Sequence, residues 1–156
     1  MESEKKHTEV SKEQADLVFG FLEVLFGDDV NAYWSLISKV DQARVYGMYK
    51  AGIANGSITK HYSFGEYVKE KFMYAHRERY EKVKNNPGVA THLRYTDDGE
   101  PQIFVLENVI APRHYIAETQ AKVFPVTLTV DSIVDKDDVS FNWKVRMYLD
   151  QDYKNV

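Results

Sequence analysis

The strongest constraint on this chain is the alternation near its end. There Val139, Phe141, Trp143, Val145, Met147 and Leu149 take turns with Ser140, Asn142, Lys144, Arg146 and Tyr148. A period of two predicts a strand with one apolar and one wet face. Folding back through Asp135-Lys136-Asp137-Asp138 sets Val130 opposite Trp143, Leu128 opposite Val145 and Val126 opposite Met147, while Thr127, Thr129 and Asp131 join the polar face. An earlier hairpin is signalled by Asp98-Gly99 between residues 89–96 and 101–110. A turn centred there predicts Leu93 opposite Phe104 and Thr91 opposite Leu106, with Thr91, Tyr95, Phe104, Leu106, Asn108, Tyr115 and Thr119 facing inward. Ala90, His92, Arg94, Ile103, Val105 and Glu107 then face outward. A strand from about His114 links the hairpins. A bulge near Val123-Phe124-Pro125 reconciles its faces with those beyond, because proline cannot serve a central ladder.

Before Gly88 the period is helical. Ser11 and Gln14 form a capping box ahead of Leu17, Val18, Phe21, Leu22, Leu25 and Phe26, and Gly27 ends that helix. Asp28 or Asp29 caps a second helix carrying Val30, Tyr33, Trp34 and Ile37. Ser38 and Asp41 open a third, with Val45, Met48, Tyr49 and Ile53, closed by Asn55-Gly56. Residues 57–62 read either as a short strand or as a loop. Ser63-x-x-Glu66 caps a long helix with Phe64, Val68, Phe72 and Ala75 on one face, closed by Asn85-Asn86-Pro87-Gly88. Helices followed by antiparallel strands predict an α+β fold, with a charged, flexible tail over 1–10 and one domain over 11–156.

The 156 residues suffice for a core without a metal or disulfide staple, and the absence of cysteine excludes thiolate metal sites and thiol nucleophiles. The polar start lacks the apolar run of a secretory signal, so the expected location is cytoplasmic, away from membranes. A formal charge of −4 gives no overall attraction to phosphate backbones. Lys69, Lys71, Arg77, Arg79, Lys82 and Lys84 are interleaved with Glu66, Glu70, Glu78 and Glu81, which reads as a solvated helix face rather than a nucleic-acid patch.

The helical hairpin broken at Gly27-Asp28-Asp29, the aromatic segment Ala32-Tyr33-Trp34-Ser35-Leu36-Ile37-Ser38, a further long helix and a bent meander together resemble the nuclear transport factor 2-like superfamily. The likeness spans residues 11–150 and is most specific over 21–38. It implies N-terminal helices packed on a curved, antiparallel, four-stranded meander sheet, cone-shaped, with an interior pocket and frequent dimerisation through the sheet. Folds of this kind host dehydratases, isomerases, hydrolases, cyclases and non-catalytic binders, so the fold alone selects no activity.

Enzymes of that superfamily move protons with Asp, Glu or His inside the cone. The inward strand residues here offer no carboxylate or imidazole. A base must then come from Asp41, His61 or Asp16, with Tyr33, Tyr95 or Tyr115 as hydrogen-bond donors. Asp41 stands near the place where related isomerases carry a basic Asp, but also at a helix start, where a carboxylate caps. His61 reads as cavity mouth or polar surface, and Tyr33 and Trp34 as ligand-stacking or core residues. No cofactor or metal is expected: the five histidines form no same-face pair, Gly52-x-x-x-Gly56 lacks the lysine of a phosphate loop, and Ser57, Ser63 and Ser132 lack a hydrolase elbow.

The leading expectation is a non-catalytic small-molecule-binding or protein-interaction module. Its cavity would be lined by Tyr33, Trp34, Tyr95, Asn108, Tyr115 and Trp143 and would take a small uncharged ligand. The alternative is a cofactor-independent lyase, isomerase or hydrolase. The mixed apolar and charged outward face at His92, Arg94, Ile103, Val105 and Glu107 predicts a homodimer or a protein partner there.

Overall fold

The computed structural model describes residues 8–107 and 125–147, apart from the side chain of Glu107. It is an α+β fold with helices first and a four-stranded antiparallel sheet after them. Helix α1 (Lys12–Leu25) starts at the Ser11–Gln14 capping box, and α2 (Val30–Ser35) starts at Asp29, whose carboxylate accepts from the N–H groups of Asn31 and Ala32. Helix α3 (Lys39–Ala54) starts at Ser38, and the left-handed Gly56 (φ 84°) follows its end. Residues 57–62 hold no strand. Among the described residues no helix is long and apolar enough to cross a membrane.

The long fourth helix begins at the Ser63–Glu66 box as α4 (Phe64–Val68), passes through a π-helical turn (Lys69–Met73) and continues as α5 (Tyr74–Arg79). A π turn inserts one residue into the helical repeat. The buried face therefore steps from Val68 to Met73 and His76, and Phe72, expected on that face, is only half-buried. Arg77 is not on a solvated face. Its guanidinium donates to the carbonyls of Leu25 (2.9 Å) and Gly27 (2.6 Å), satisfying groups that the end of α1 leaves without a partner.

The sheet runs β1 (Pro87–Tyr95), β2 (Pro101–Glu107), β3 (Val126–Asp135) and β4 (Asp138–Val145), each strand beside the next. The β3–β4 register is as expected, with Leu128 opposite Val145 and Val130 opposite Trp143. Its tight turn is made by Lys136 (φ 56°) and Asp137. The β1–β2 register is one residue off the expected one: Leu93 faces Ile103 and Tyr95 faces Pro101. The cause is the turn. Gly99 (φ 83°) ends a three-residue loop in which the Gly99 N–H donates to the Thr96 carbonyl and the Thr96 N–H to that of Glu100. A one-residue slip reverses the faces of β2, so Ile103 and Val105, expected outside, are core, and Phe104 and Leu106 are only half-buried.

Farther along β1 the pairing shifts again, since Val89 faces Val105. Residues 8–10 pair with β1 across this irregularity. The Val10 N–H donates to the Thr91 carbonyl and the Leu93 N–H to that of Thr8. The core lies between α1 and the inner sheet face, with Val18, Phe21, Leu25, Tyr33, Val45, Ile103, Leu128 and Val145 essentially inaccessible. Each such side chain contributes about 1.5–3 kcal/mol on leaving water.

Candidate functional site

The residues with chemistry to offer fall into three places. The first surrounds Asp41. Ser38 caps α3 and Asp41 occupies the third helical position, so the carboxylate begins beside the cap hydroxyl, which donates to Asp41 Oδ2 at 2.8 Å. Residues 36–38 then run along the end of β4: Ile37 bridges Val145 in parallel, the Val145 N–H donates to the Leu36 carbonyl, and the Ser38 N–H to that of Val145. This stitching brings the end of β4 onto Asp41. Arg146 Nε donates to Oδ2 at 2.7 Å and the Met147 N–H at 2.9 Å. On its other side, Arg146 Nη1 lies 2.9 Å and 2.8 Å from the two carboxylate oxygens of Glu100, in the β1–β2 loop.

Asp41 is fully buried and the Arg146 side chain is 22% exposed. Burial works against the guanidinium charge, but its hydrogen bonds to Asp41 and Glu100 and their negative charges outweigh that and hold Arg146 above its usual value. Sequence reasoning gave Asp41 either a cap or a base role. Oδ2 accepts from the Ser38 hydroxyl, Arg146 Nε and the Met147 N–H, and Oδ1 faces Arg44 Nη1 and Arg146 Nη2, each at 3.4 Å, an arrangement that joins the helix layer to both hairpins. Asp131 completes the junction by accepting the Lys39 N–H at 3.0 Å.

The second place is an aromatic cluster in the core. Tyr33 is fully buried, and its hydroxyl lies 2.7 Å from His76 Nδ1. Phe21 meets Tyr33, His76 and Tyr80 at centroid separations of 6.2, 5.9 and 6.2 Å. Burial, reinforced by the Arg79 charge and opposed by Asp41, pushes His76 down to about 4, so it is neutral at pH 7. Trp34, one residue on, points into a different cluster, edge-on to Phe64, which also meets Tyr46 and Tyr49. Tyr33 and Trp34 therefore do not line one site.

Of the other expected cavity residues, Tyr95 is half-buried at the end of β1, and Trp143 is half-buried on β4. Asn108 and Tyr115 lie outside the described residues, as does the expected bulge at Val123 and Phe124. His61 is exposed, and Asp16 is exposed and paired with Lys12 at 2.8 Å. Among the described residues no cluster of His, Asp or Glu could hold a metal ion. On the first hairpin His92 and Arg94 are exposed as expected, but Ile103 and Val105 belong to the core.

The third place is the outer half of the β3–β4 hairpin. The alternation that packs Leu128, Val145 and Met147 into the core continues past the point where the helices cover it. Val134, Phe141, Val139 and Val130 share the apolar face there and are 69, 67, 55 and 44% exposed. Sequence patterning marked this face as core throughout. Only the tertiary placement of the helices decides where coverage stops. Comparison of the chain with protein-family models, with curated proteins and with solved structures gave no match.

Proposed function

We propose that this chain is a non-catalytic protein-interaction module that presents the outer β3–β4 hairpin to a partner. The carrying observation is the uncovered apolar face of Val130, Val134, Val139 and Phe141. Contiguous exposed apolar surface of this kind costs solubility and marks sites that another surface covers. The engagement of Asp41 with Ser38, Arg146 and the Met147 N–H supports a structural use of the one buried carboxylate that the enzyme reading relies on. We extend the proposal to a nuclear transport factor 2-like affiliation, for which the order of elements is the support.

The test is a photo-crosslinking amino acid placed at Phe141, with the exposed Lys82 as control, in cells that naturally make the chain. Specific protein adducts from position 141 and none from position 82 are expected. Equal or absent adducts at both positions would refute the reading.

A further inference from the structure

Strand β4 is the last in the sheet order. One side of it is taken by β3. On the other, among the described residues, only residues 36–38 pair with it, at Val145. The stretch from Asp138 to Lys144 contains no proline, and its ladder with β3 runs without a bulge. Such an edge is open to another strand. The sequence of this edge is also complementary to itself: an antiparallel copy centred on Phe141 sets Asp138 opposite Lys144, Val139 opposite Trp143 and Ser140 opposite Asn142. The twofold axis repeats each pair. Opposite charges meet twice, a valine meets a tryptophan twice, and Phe141 meets its own copy, all with apolar side chains on one face and polar ones on the other. A shift by two residues loses both charge pairs.

We infer that the partner of this hairpin is a second copy of the chain, joined by antiparallel β4–β4 pairing centred on Phe141 into one continuous sheet. This rests on the reading of the hairpin as an interaction surface and specifies its occupant. Val139 and Phe141 then gain Trp143 and Phe141 of the second copy as cross-strand neighbours on the same apolar face, while Lys144, which donates to the Ser35 carbonyl within its own chain, turns to meet Asp138 across the edge.

The absence of cysteine makes the register directly testable. Residues facing themselves across an antiparallel twofold have Cα atoms about 4.5–5.5 Å apart, inside the roughly 4.4–6.8 Å that a disulfide accepts. Under mild oxidation the F141C chain is expected to form a covalent dimer. The V139C and W143C chains are expected to form one only when mixed. Crosslinking of V139C or W143C alone as efficiently as F141C, or none in any sample, would overturn the proposal.

D138K is expected to weaken the dimer roughly tenfold, from the loss of two cross-strand charge pairs and their replacement by repulsion. The D138K/K144D chain is expected to recover it; a double variant weaker than D138K would also overturn the register. A monomer without disulfides whose position 141 still gives adducts to another protein removes the dimer and leaves the interaction module standing. Loss of those adducts removes both.

Discussion

Replacing Asp41 with alanine tests whether its carboxylate is the joint between the helix layer and the two hairpins. The substitution removes the acceptor for the Met147 N–H, which is buried, at a cost of about 1–3 kcal/mol for an orphaned donor. It also deprives Arg146 of its buried counter-charge. Breaking a fully buried pair costs about 3–5 kcal/mol, but Arg146 is 22% exposed and keeps Glu100, so the charge contribution falls below that range. Together these give about 3–4 kcal/mol. Asp41→Asn preserves volume and one acceptor and is expected to cost about 1–2 kcal/mol. Urea unfolding followed by the fluorescence of Trp34 and Trp143 reads both. In a cycle with Arg146→Met, the double variant should lose about 1–3 kcal/mol less than the sum of the singles. A loss below about 1 kcal/mol for Asp41→Ala, or simple additivity, would refute the joint.

Three further outcomes follow from single contacts. His76 is pushed down to about 4 by burial, so between pH 6.5 and about 4 the unfolded chain binds the extra proton; its contribution is complete above pH 6.5 and is lost as pH falls, by up to roughly 3 kcal/mol. The urea midpoint of the native chain should therefore fall more steeply over that window than that of His76→Gln, and parallel curves would contradict the assignment. Arg77→Ala should cost about 2–3 kcal/mol in urea unfolding through the lost bonds to Leu25 and Gly27, and Arg77→Lys should restore less than half, since an ammonium lacks the fork. In thermal unfolding Gly99→Ala should lose about 1–2 kcal/mol at its left-handed φ, whereas Gly20→Ala, with open space at its Cβ inside α1, should gain about 0.5–1 kcal/mol; the same sign for both would contradict the backbone argument.

The parts of this fold legible in the sequence are those fixed by local chemistry. Ser11, Asp29, Ser38 and Ser63 mark the helix starts because each side chain bonds its own helix's N–H groups within three residues. The β3–β4 register was readable because alternation over 126–130 and over 139–147, folded back through Asp135-Lys136-Asp137-Asp138, matches Leu128 with Val145 and Val130 with Trp143. Asp98-Gly99 misled because the same dipeptide serves a two-residue turn or ends a three-residue one, and the single-residue difference turned Ile103 and Val105 from surface into core. The π turn at residues 69–73 leaves no pattern in its own residues, so the step of the buried face to Met73 was hidden.

The candidate site was legible only in part, for a related reason. Asp41 could be read as a helix-start carboxylate, but Arg146 and Met147, which decide its role, are more than a hundred residues away. Tyr33 and Trp34 look alike in sequence and diverge because adjacent helix positions point about 100° apart. The exposed face of Phe141 carries the same alternation as the buried face of Val145. Nothing in the strand itself says where the helices end.

The most direct test of the hairpin as an interaction surface is amide hydrogen exchange across Asp138–Val145, measured at low and high protein concentration. The β4 amides bonded neither to β3 nor, as at Val145, to the Leu36 carbonyl should exchange at solvent-exposed rates when dilute and slow by at least tenfold when concentrated, with α1 unchanged. Unchanged exchange at β4 across that range, in native extract as well as in purified protein, would contradict the account.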